Sequence, residues 1–288
     1  MTYPVFIKTD ENINDLNIAD TISLYEAEAH HVFVMRLKEN DILDIVDGAG
    51  MRMRSKIKAL QKNNVQCEIL EKIFDDKIEP EIILVQALAK NGRDEQAVES
   101  CVELGIRGVI PWKAQRCIST WTGNKIKKSR IKWENIALAA VKQSRQSYIV
   151  NIADLVDSNQ LAKMMVDNNN SCKEYSKDLN FFEGKTNIDE KANLNCIDTS
   201  ISDVKFIVLH ESATQYLTEI PEEYFENSSK IYLIVGPEGG ITDVELEKFT
   251  EKGALKVKLS DSVLRTSNAG VVAATIVATK TNMWKRRK

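Results

Sequence analysis

Two segments near the C-terminus carry residue types and spacing that suit a ligand site. The first is Gly236-Pro237-Glu238-Gly239-Gly240, which follows the apolar run Ile231–Val235. Glycine admits φ > 0 and lets a ligand approach the backbone closely. The next residues, Thr242-Asp243-Val244-Glu245, have the Thr-x-x-Glu form of a capping box, so a helix starts there. Strand, Gly-rich loop and helix N-terminus is an arrangement at which open α/β sheets bind ligands. It is neither G-x-G-x-x-G nor a P-loop, so NAD and ATP lose their main support. A plain strand-to-helix turn is the competing reading. The second segment is Lys258-Leu259-Ser260-Asp261-Ser262-Val263-Leu264-Arg265-Thr266-Ser267-Asn268-Ala269-Gly270. It links a strand to the small-residue helix GVVAATIVATK, with Ser267 or Asn268 as the expected cap. That helix can pack closely in the core or against a second subunit.

Phosphate chemistry is suggested elsewhere. Five basic residues and no acid lie between Arg52 and Lys62, and nine basic residues against Glu134 alone lie between Lys113 and Arg145. The chain ends Lys285-Arg286-Arg287-Lys288. Such patches bind nucleic-acid backbones even though the formal net charge is −3. The alternative is a set of solvated faces and a charged tail.

Residues 1 to about 74 read as β-rich. VFIK, DILDIVD, SKIKAL and NVQCEIL are separated by turns at Glu39-Asn40-Asp41 and Asp47-Gly48-Ala49-Gly50, with one or two helical turns at Tyr25–Val34. Phe74–Pro80 reads as a linker. Beyond it, EIILVQALA is a continuous apolar run of the kind found in buried parallel strands. Asp94–Leu104 is helical with Gly105 as its stop, and GVIPW is a strand. Ser129–Gln146 is a long helix with Ile131, Ile136, Ala139, Ala140 and Val141 as its apolar stripe. Residues 166–203, opening on Asn168-Asn169-Asn170, read as a polar insertion loop. KFIVLHE, IYLIV, a helix, LKVKLS and a final helix resume the alternation, which predicts an α/β domain with a parallel sheet.

At 288 residues with 43% hydrophobic content, the chain is long enough for one large or two ordinary domains. No apolar run approaches the roughly 20 residues of a membrane span. MTYPVFIKTDENIND lacks a basic stretch followed by a long apolar one, so the expectation is a cytoplasmic protein. Cysteines at 67, 101, 117, 172 and 196 are odd in number and form no C-x-x-C. Reduced thiols are expected, with no disulfide framework and no zinc site. His30 and His31 are adjacent and His210 is remote, so no metal site is expected.

GPEGGITDVE together with LSDSVLRTSNA resembles the SPOUT methyltransferases, and more narrowly the ribosomal RNA small subunit methyltransferase E (RsmE) family. HHVFVMRLKENDILDIVDGAG (30–50) is similar to that family's N-terminal RNA-binding motif. LVQALAKNGRDEQAVESCVELGIRGVIPWKAQRCI (84–118) is similar to its first α/β segment, and WENIALAAVKQSRQ (133–146) to its Gln-Ser-Arg helix. The resemblance implies a small PUA-like β-barrel domain at 1–74. It also implies an α/β SPOUT methyltransferase domain at 75–288, with a parallel sheet, helices on both faces and a deep C-terminal trefoil knot. It further implies a homodimer that uses S-adenosyl-L-methionine, without a metal, to methylate N3 of one uridine in 16S ribosomal RNA of the small subunit. By position, the cofactor residues are Leu209, His210, Gly236, Pro237, Glu238, Gly239, Gly240, Leu259, Ser260, Val263, Leu264, Arg265, Ser267, Asn268 and Ala269. Members usually have Leu-Gly where this chain has Leu259-Ser260, and Glu-Thr-Ala where it has Ser267-Asn268-Ala269.

Uracil N3 carries a proton at neutral pH, so methylation needs that proton to leave while negative charge grows on O2 and O4. Arg265 is the expected charge stabiliser. Glu238 is available as a general base, or alternatively fixes its own loop. Expected RNA contacts are His31, Arg36, Arg52, Arg54, Arg116, Lys125, Lys127, Lys128, Gln143 and Arg145, with a packed barrel position as the other reading of His31. Two further functions stay open: a SPOUT enzyme acting on a ribose 2′-hydroxyl, and an inactive RNA-binding or ribosome-assembly protein.

Overall fold

The computed structural model describes residues 3–9, 13–170, 203–281 and 283–284. Most of the expected insertion, Cys172, Cys196 and the basic C-terminal tail fall outside the described residues. The fold groups into two compact units: Met1–Ile78 with Val98–Arg107 and Gly123–Ile152, and Glu79–Ala97 with Gly108–Thr122 and Ala153–Lys288.

The first unit is built on a five-stranded sheet. Its strands are β1 (Val5–Ile7), β2 (Thr21–Tyr25), β3 (Ile42–Val46), β4 (Met51–Gln61) and β5 (Asn64–Phe74), in the order β1-β3-β4-β5-β2. Pairing is antiparallel except between β1 and β3. The β4–β5 register shifts at Arg54/Ser55 and again at Ile57/Ala59. Such irregularities increase local twist and curl the sheet around its apolar face. Phe6, Ile22, Leu24, Leu43, Ile45, Met53, Ile57, Val65 and Ile69 fill that face, and α1 (Glu26–Val34) adds Ala29 and Val32.

The long helix α3 (Asn124–Gln143) starts five residues before the expected Ser129. Its buried face is Trp133, Ala137, Ala140 and Val141. The expected stripe is therefore corrected: Ile131 is 44% exposed and Ala139 also faces solvent. Trp133 sets the face, because residues spaced i, i+4, i+7 and i+8 from it share one side of a helix.

The second unit holds a parallel sheet. β6 (Glu81–Ala87), β7 (Gly108–Lys113), β10 (Asp203–Leu209), β11 (Ser228–Val235) and β12 (Leu255–Val257) run in the order β12-β10-β11-β6-β7, with β9 (Val156–Asp157) beside β7. The short strand β8 is Asn151–Ile152, and α2 is Arg93–Glu103. Successive strand residues point to opposite faces. Ile83, Val85, Tyr232 and Ile234 pack with Leu161 and Met165 of α4 (Ser158–Asn170) and Leu246 and Phe249 of α5 (Asp243–Glu251). The alternate residue Gln86 faces α6 (Thr266–Lys280), to which it is hydrogen-bonded. Helices thus cover both faces, as expected for a buried parallel sheet. Helix α4 continues to Asn170, through residues expected to open a loop.

Helix α6 begins earlier than its small-residue run. Its N-cap position is Arg265, with no side-chain cap, so neither Ser267 nor Asn268 caps it. Both sit inside the first turn. Ser267, Gly270, Ala273, Ala274, Val277 and Ala278 are buried, whereas Val271, Val272, Thr275 and Ile276 stay half-buried.

Candidate active site

The C-terminal ends of β10 and β11 open into a cavity of about 400 Å³. Its walls come from Leu209–Glu211, Val235–Ile241 and Val263–Thr266, with Arg93 and Ala269. A neighbouring cavity of about 140 Å³ shares Leu209–Glu211, Val263, Leu264 and Ala269, and adds Lys258–Ser262. Among the expected ligand residues, Leu209, His210, Gly236, Pro237, Glu238, Gly239, Gly240, Val263, Leu264, Arg265 and Ala269 line the larger space, while Leu259 and Ser260 line the smaller.

Ser267 and Asn268 line neither cavity. A helix turns about 100° per residue, so Arg265, Thr266 and Ala269 share one side of the first turn. Ser267 is buried on another side, with its hydroxyl on Asn268 Oδ1 at 3.1 Å, and Asn268 is exposed. Neither side chain therefore forms part of either cavity wall.

The loop after β11 is pinned from three directions. Thr266 Oγ1 donates to Gly236 O at 2.8 Å and accepts from the fully buried Gln86 Nε2 at 3.0 Å. Glu238 Oε1 accepts from the Lys90 N–H at 3.0 Å and from Arg93 Nη1 at 3.2 Å. The turn that presents Lys90 places Asn91 and Gly92 at φ 56° and 72°. Gly239 packs on residue 116: an added Cβ would lie 2.9 Å from Arg116 Cβ and 3.0 Å from Arg116 O. Arg116 Nη1 in turn donates to Gly239 O at 3.3 Å.

The capping box of α5 forms as the sequence predicts: the Glu245 N–H donates to Thr242 Oγ1, and Glu245 Oε2 accepts from the Thr242 N–H. Glu245 does more than cap. It is fully buried, and its Oε1 accepts from Ser158 Oγ at 2.6 Å and from the Gln115 N–H at 2.8 Å. Trp112 Nε1 donates to Ser158 Oγ at 3.1 Å. Burial by itself raises the Glu245 carboxyl, but these hydrogen bonds outweigh it and hold its pKa below the ordinary value. The first turn of α5 is therefore tied to β7 and to the start of α4, which fixes the far end of the Gly-rich loop.

The charges around the larger cavity differ in commitment. Arg93 is paired with Glu238, and Arg116 is turned to Gly239 O. The Arg265 guanidinium has no hydrogen bond or ion pair among the described residues. Among the described residues the thiols offer no ready nucleophile: desolvation pushes the buried Cys67 and Cys101 up to about 12 and the half-buried Cys117 up to about 11. Among the described residues no group of three or more His, Cys, Asp or Glu could hold a metal ion. No described helix is long and apolar enough to cross a membrane.

The expected RNA residues fall into three groups. Arg52 is bound to Asp44 at 3.1 Å, Asp75 at 2.8 Å and the Arg145 carbonyl at 3.1 Å. Arg54 is bound to Asp44 at 3.2 Å and Glu71 at 2.8 Å. These two are committed to partners in and beside the sheet, so the run at 52–62 loses its strongest phosphate ligands. His31 stands edge-on to Phe6 with ring centroids 5.6 Å apart, the packed barrel position. Arg36, Lys125, Lys127, Lys128 and Gln143 are exposed and have no side-chain partner among the described residues, and Arg145 is exposed at φ 58°. Sequence reasoning passed over Arg93, Glu211, Thr266 and Gln86. The Asn-Gly turn ahead of Arg93 was the one local signal.

The RNA methyltransferase domain family matches residues 77–197 and 182–278, which is most of the chain, and its PUA domain family matches residues 24–70. The chain belongs to the RNA methyltransferase family. Curated relatives carry the narrower name read from GPEGGITDVE and LSDSVLRTSNA. Ribosomal RNA small subunit methyltransferase E of Mycobacterium tuberculosis is 27% identical over 255 residues, covering 88% of this chain and 84% of that protein. The Bacillus subtilis protein of the same name is 24% identical and covers 93% of each. The crystal structure of the Neisseria gonorrhoeae protein of that name, bound to S-adenosyl methionine, has the same fold. Its TM-score is 0.73 at 21% identity, over 96% of this chain and 97% of that one.

Proposed function

We propose that this RNA methyltransferase transfers a methyl group from S-adenosylmethionine to N3 of one uridine in small-subunit ribosomal RNA, as a cytoplasmic homodimer. The observation that carries the reading is the pinned, Gly-rich cavity at the carboxyl ends of the parallel strands β10 and β11. Its volume falls in the range of small-molecule sites, about 300–1,000 Å³. Leu209, Val235, Ile241, Val263 and Leu264 supply apolar walls, and the main chain of Gly236–Gly240 supplies polar groups. This donor set fits a nucleoside with an amino-acid tail. When bound, S-adenosylmethionine provides the electrophilic methyl group. The segment 258–270 that walls the cavity is where the family's knot would lie.

The protein's own part is positioning and charge. Glu238 is held by Lys90 and Arg93, so its role is to fix the loop rather than to take a proton. Arg265, at the cavity wall without a partner among the described residues, is the group placed to stabilise charge growing on the uracil oxygens. Residues 1–74 serve as the RNA-binding domain and 75–288 as the methyltransferase domain, a division supported by the separate matches at 24–70 and 77–278, while 98–107 and 123–152 group with the first compact unit. Arg36, Arg116, Lys125, Lys127, Lys128, Gln143 and Arg145 remain the RNA contacts. Phosphates held this way set register without reading sequence. The half-buried face Val271, Val272, Thr275 and Ile276 of α6 is the proposed dimer contact.

Arg265→Ala tests the chemistry. Turnover falls by about 10²–10³-fold, as for loss of one charge-stabilising group, while RNA affinity is retained. Equal losses in turnover and RNA affinity would reduce Arg265 to an RNA contact.

A further inference from the structure

His210 follows β10. Its N–H donates to Val257 O at 2.9 Å, and its C=O accepts from the Ala213 N–H at 3.2 Å, so the ring is carried on a tight turn. The side chain is 9% exposed and lines both cavities. Its Nδ1 accepts from the Ser212 main-chain N–H at 3.1 Å, with Ser212 Oγ 2.8 Å away. A main-chain N–H can only donate, so Nδ1 presents a lone pair. A neutral imidazole has one donor nitrogen and one acceptor nitrogen. The ring proton therefore sits on Nε2. The Glu211 carboxylate is 3.9 Å from Nε2, outside hydrogen-bond range. Among the described residues Nε2 has no acceptor.

We propose that Ser212 locks His210 as the neutral Nε2–H tautomer, and that this N–H reads an oxygen acceptor on the cofactor. The proposal rests on the reading that the cavity holds S-adenosylmethionine. It adds a side-chain determinant to a site otherwise built from main-chain groups.

Ring ¹⁵N spectroscopy on the whole protein tests the tautomer without ligand. Three histidines give a tractable spectrum, and His210→Gln assigns the signal. The proposal requires an unprotonated Nδ1 and a protonated Nε2, in the wild type and in Ser212→Ala, which keeps the main-chain donor. A protonated Nδ1 in either overturns it. Calorimetry tests the contact. His210→Ala weakens S-adenosylmethionine binding roughly 2- to 12-fold, the net worth of one hydrogen bond. His210→Gln, whose amide nitrogen can stand near the Nε2 position, recovers most of that loss. Methylthioadenosine keeps the ribose and lacks the carboxylate. If the His210→Ala loss persists with it, the acceptor is a ribose hydroxyl; if the loss vanishes, the acceptor is the carboxylate. Unchanged S-adenosylmethionine affinity in His210→Ala overturns the proposal. Absence of binding by the wild-type protein overturns the cofactor reading instead.

Discussion

Replacing Gly239 by Ala isolates the packing of the Gly-rich loop from its backbone conformation. Gly240 has φ 74°, but Gly239 is not among the residues with positive φ, so alanine meets no backbone strain there. It meets residue 116. The new Cβ would lie 2.9 Å from Arg116 Cβ and 3.0 Å from Arg116 O, against ordinary contacts of 3.4 Å or more. A main-chain carbonyl cannot swing aside as a side-chain tip can. The loop must therefore retreat by several tenths of an ångström, against the anchors at Thr266 and Glu238. Overpacking of this kind costs about 1–3 kcal/mol. Because the displaced segment is the cavity wall, much of that cost falls on the bound state, equivalent to about 5- to 150-fold in affinity. Isothermal titration with S-adenosylmethionine, with thermal unfolding of the unliganded protein alongside, reads both terms. Gly239→Ala is expected to weaken binding by at least about fivefold while far-UV dichroism stays native. Unchanged affinity and unchanged melting would refute the reasoning, since the 2.9 Å approach would then carry no constraint.

Other substitutions probe other supports. Thr266→Val removes the donor to Gly236 O and the acceptor for Gln86, whose Oε1 already has no partner among the described residues. We expect a loss of about 1–3 kcal/mol in urea unfolding, with Thr266→Ser close to wild type. Glu245 tests pH linkage. Its folded pKa is lowered, so its contribution is present above the unfolded value of about 4.3 and is lost as pH falls through the folded value. Glu245→Gln should therefore be clearly less stable than wild type near neutrality, and the gap should narrow as the pH is lowered below that range. A gap independent of pH would count against it. Changing Lys125, Lys127 and Lys128 together to Gln should weaken RNA binding and flatten its salt slope by about 2. An unaltered slope would return that face to solvent.

Local patterns in the sequence were legible because their causes are local. The Thr242–Glu245 capping box, the apolar runs of β6 and β11 and the Gly-rich loop each follow from a few consecutive residues. The supports of the site were not legible because their partners are distant in the chain. Gln86 meets Thr266 across 180 residues, and Lys90 meets Glu238 across 148. The same limit explains the overcounted basic run. Arg52 and Arg54 look free in sequence, yet they are paired with Asp44, Glu71 and Asp75 in the folded protein. The face of α3 was misplaced because aliphatic spacing was weighed without Trp133. Helix α6 was started late because Thr266 serves the fold through its hydroxyl, not through apolarity.

The central claim is the reaction itself, and one measurement addresses it most directly. The protein is incubated with labelled S-adenosylmethionine and small ribosomal subunits lacking the modification, and the methylated nucleoside is identified by mass spectrometry. The account predicts N3-methyluridine at a single site. A methylated ribose, or no transfer while RNA binding is retained, would contradict it.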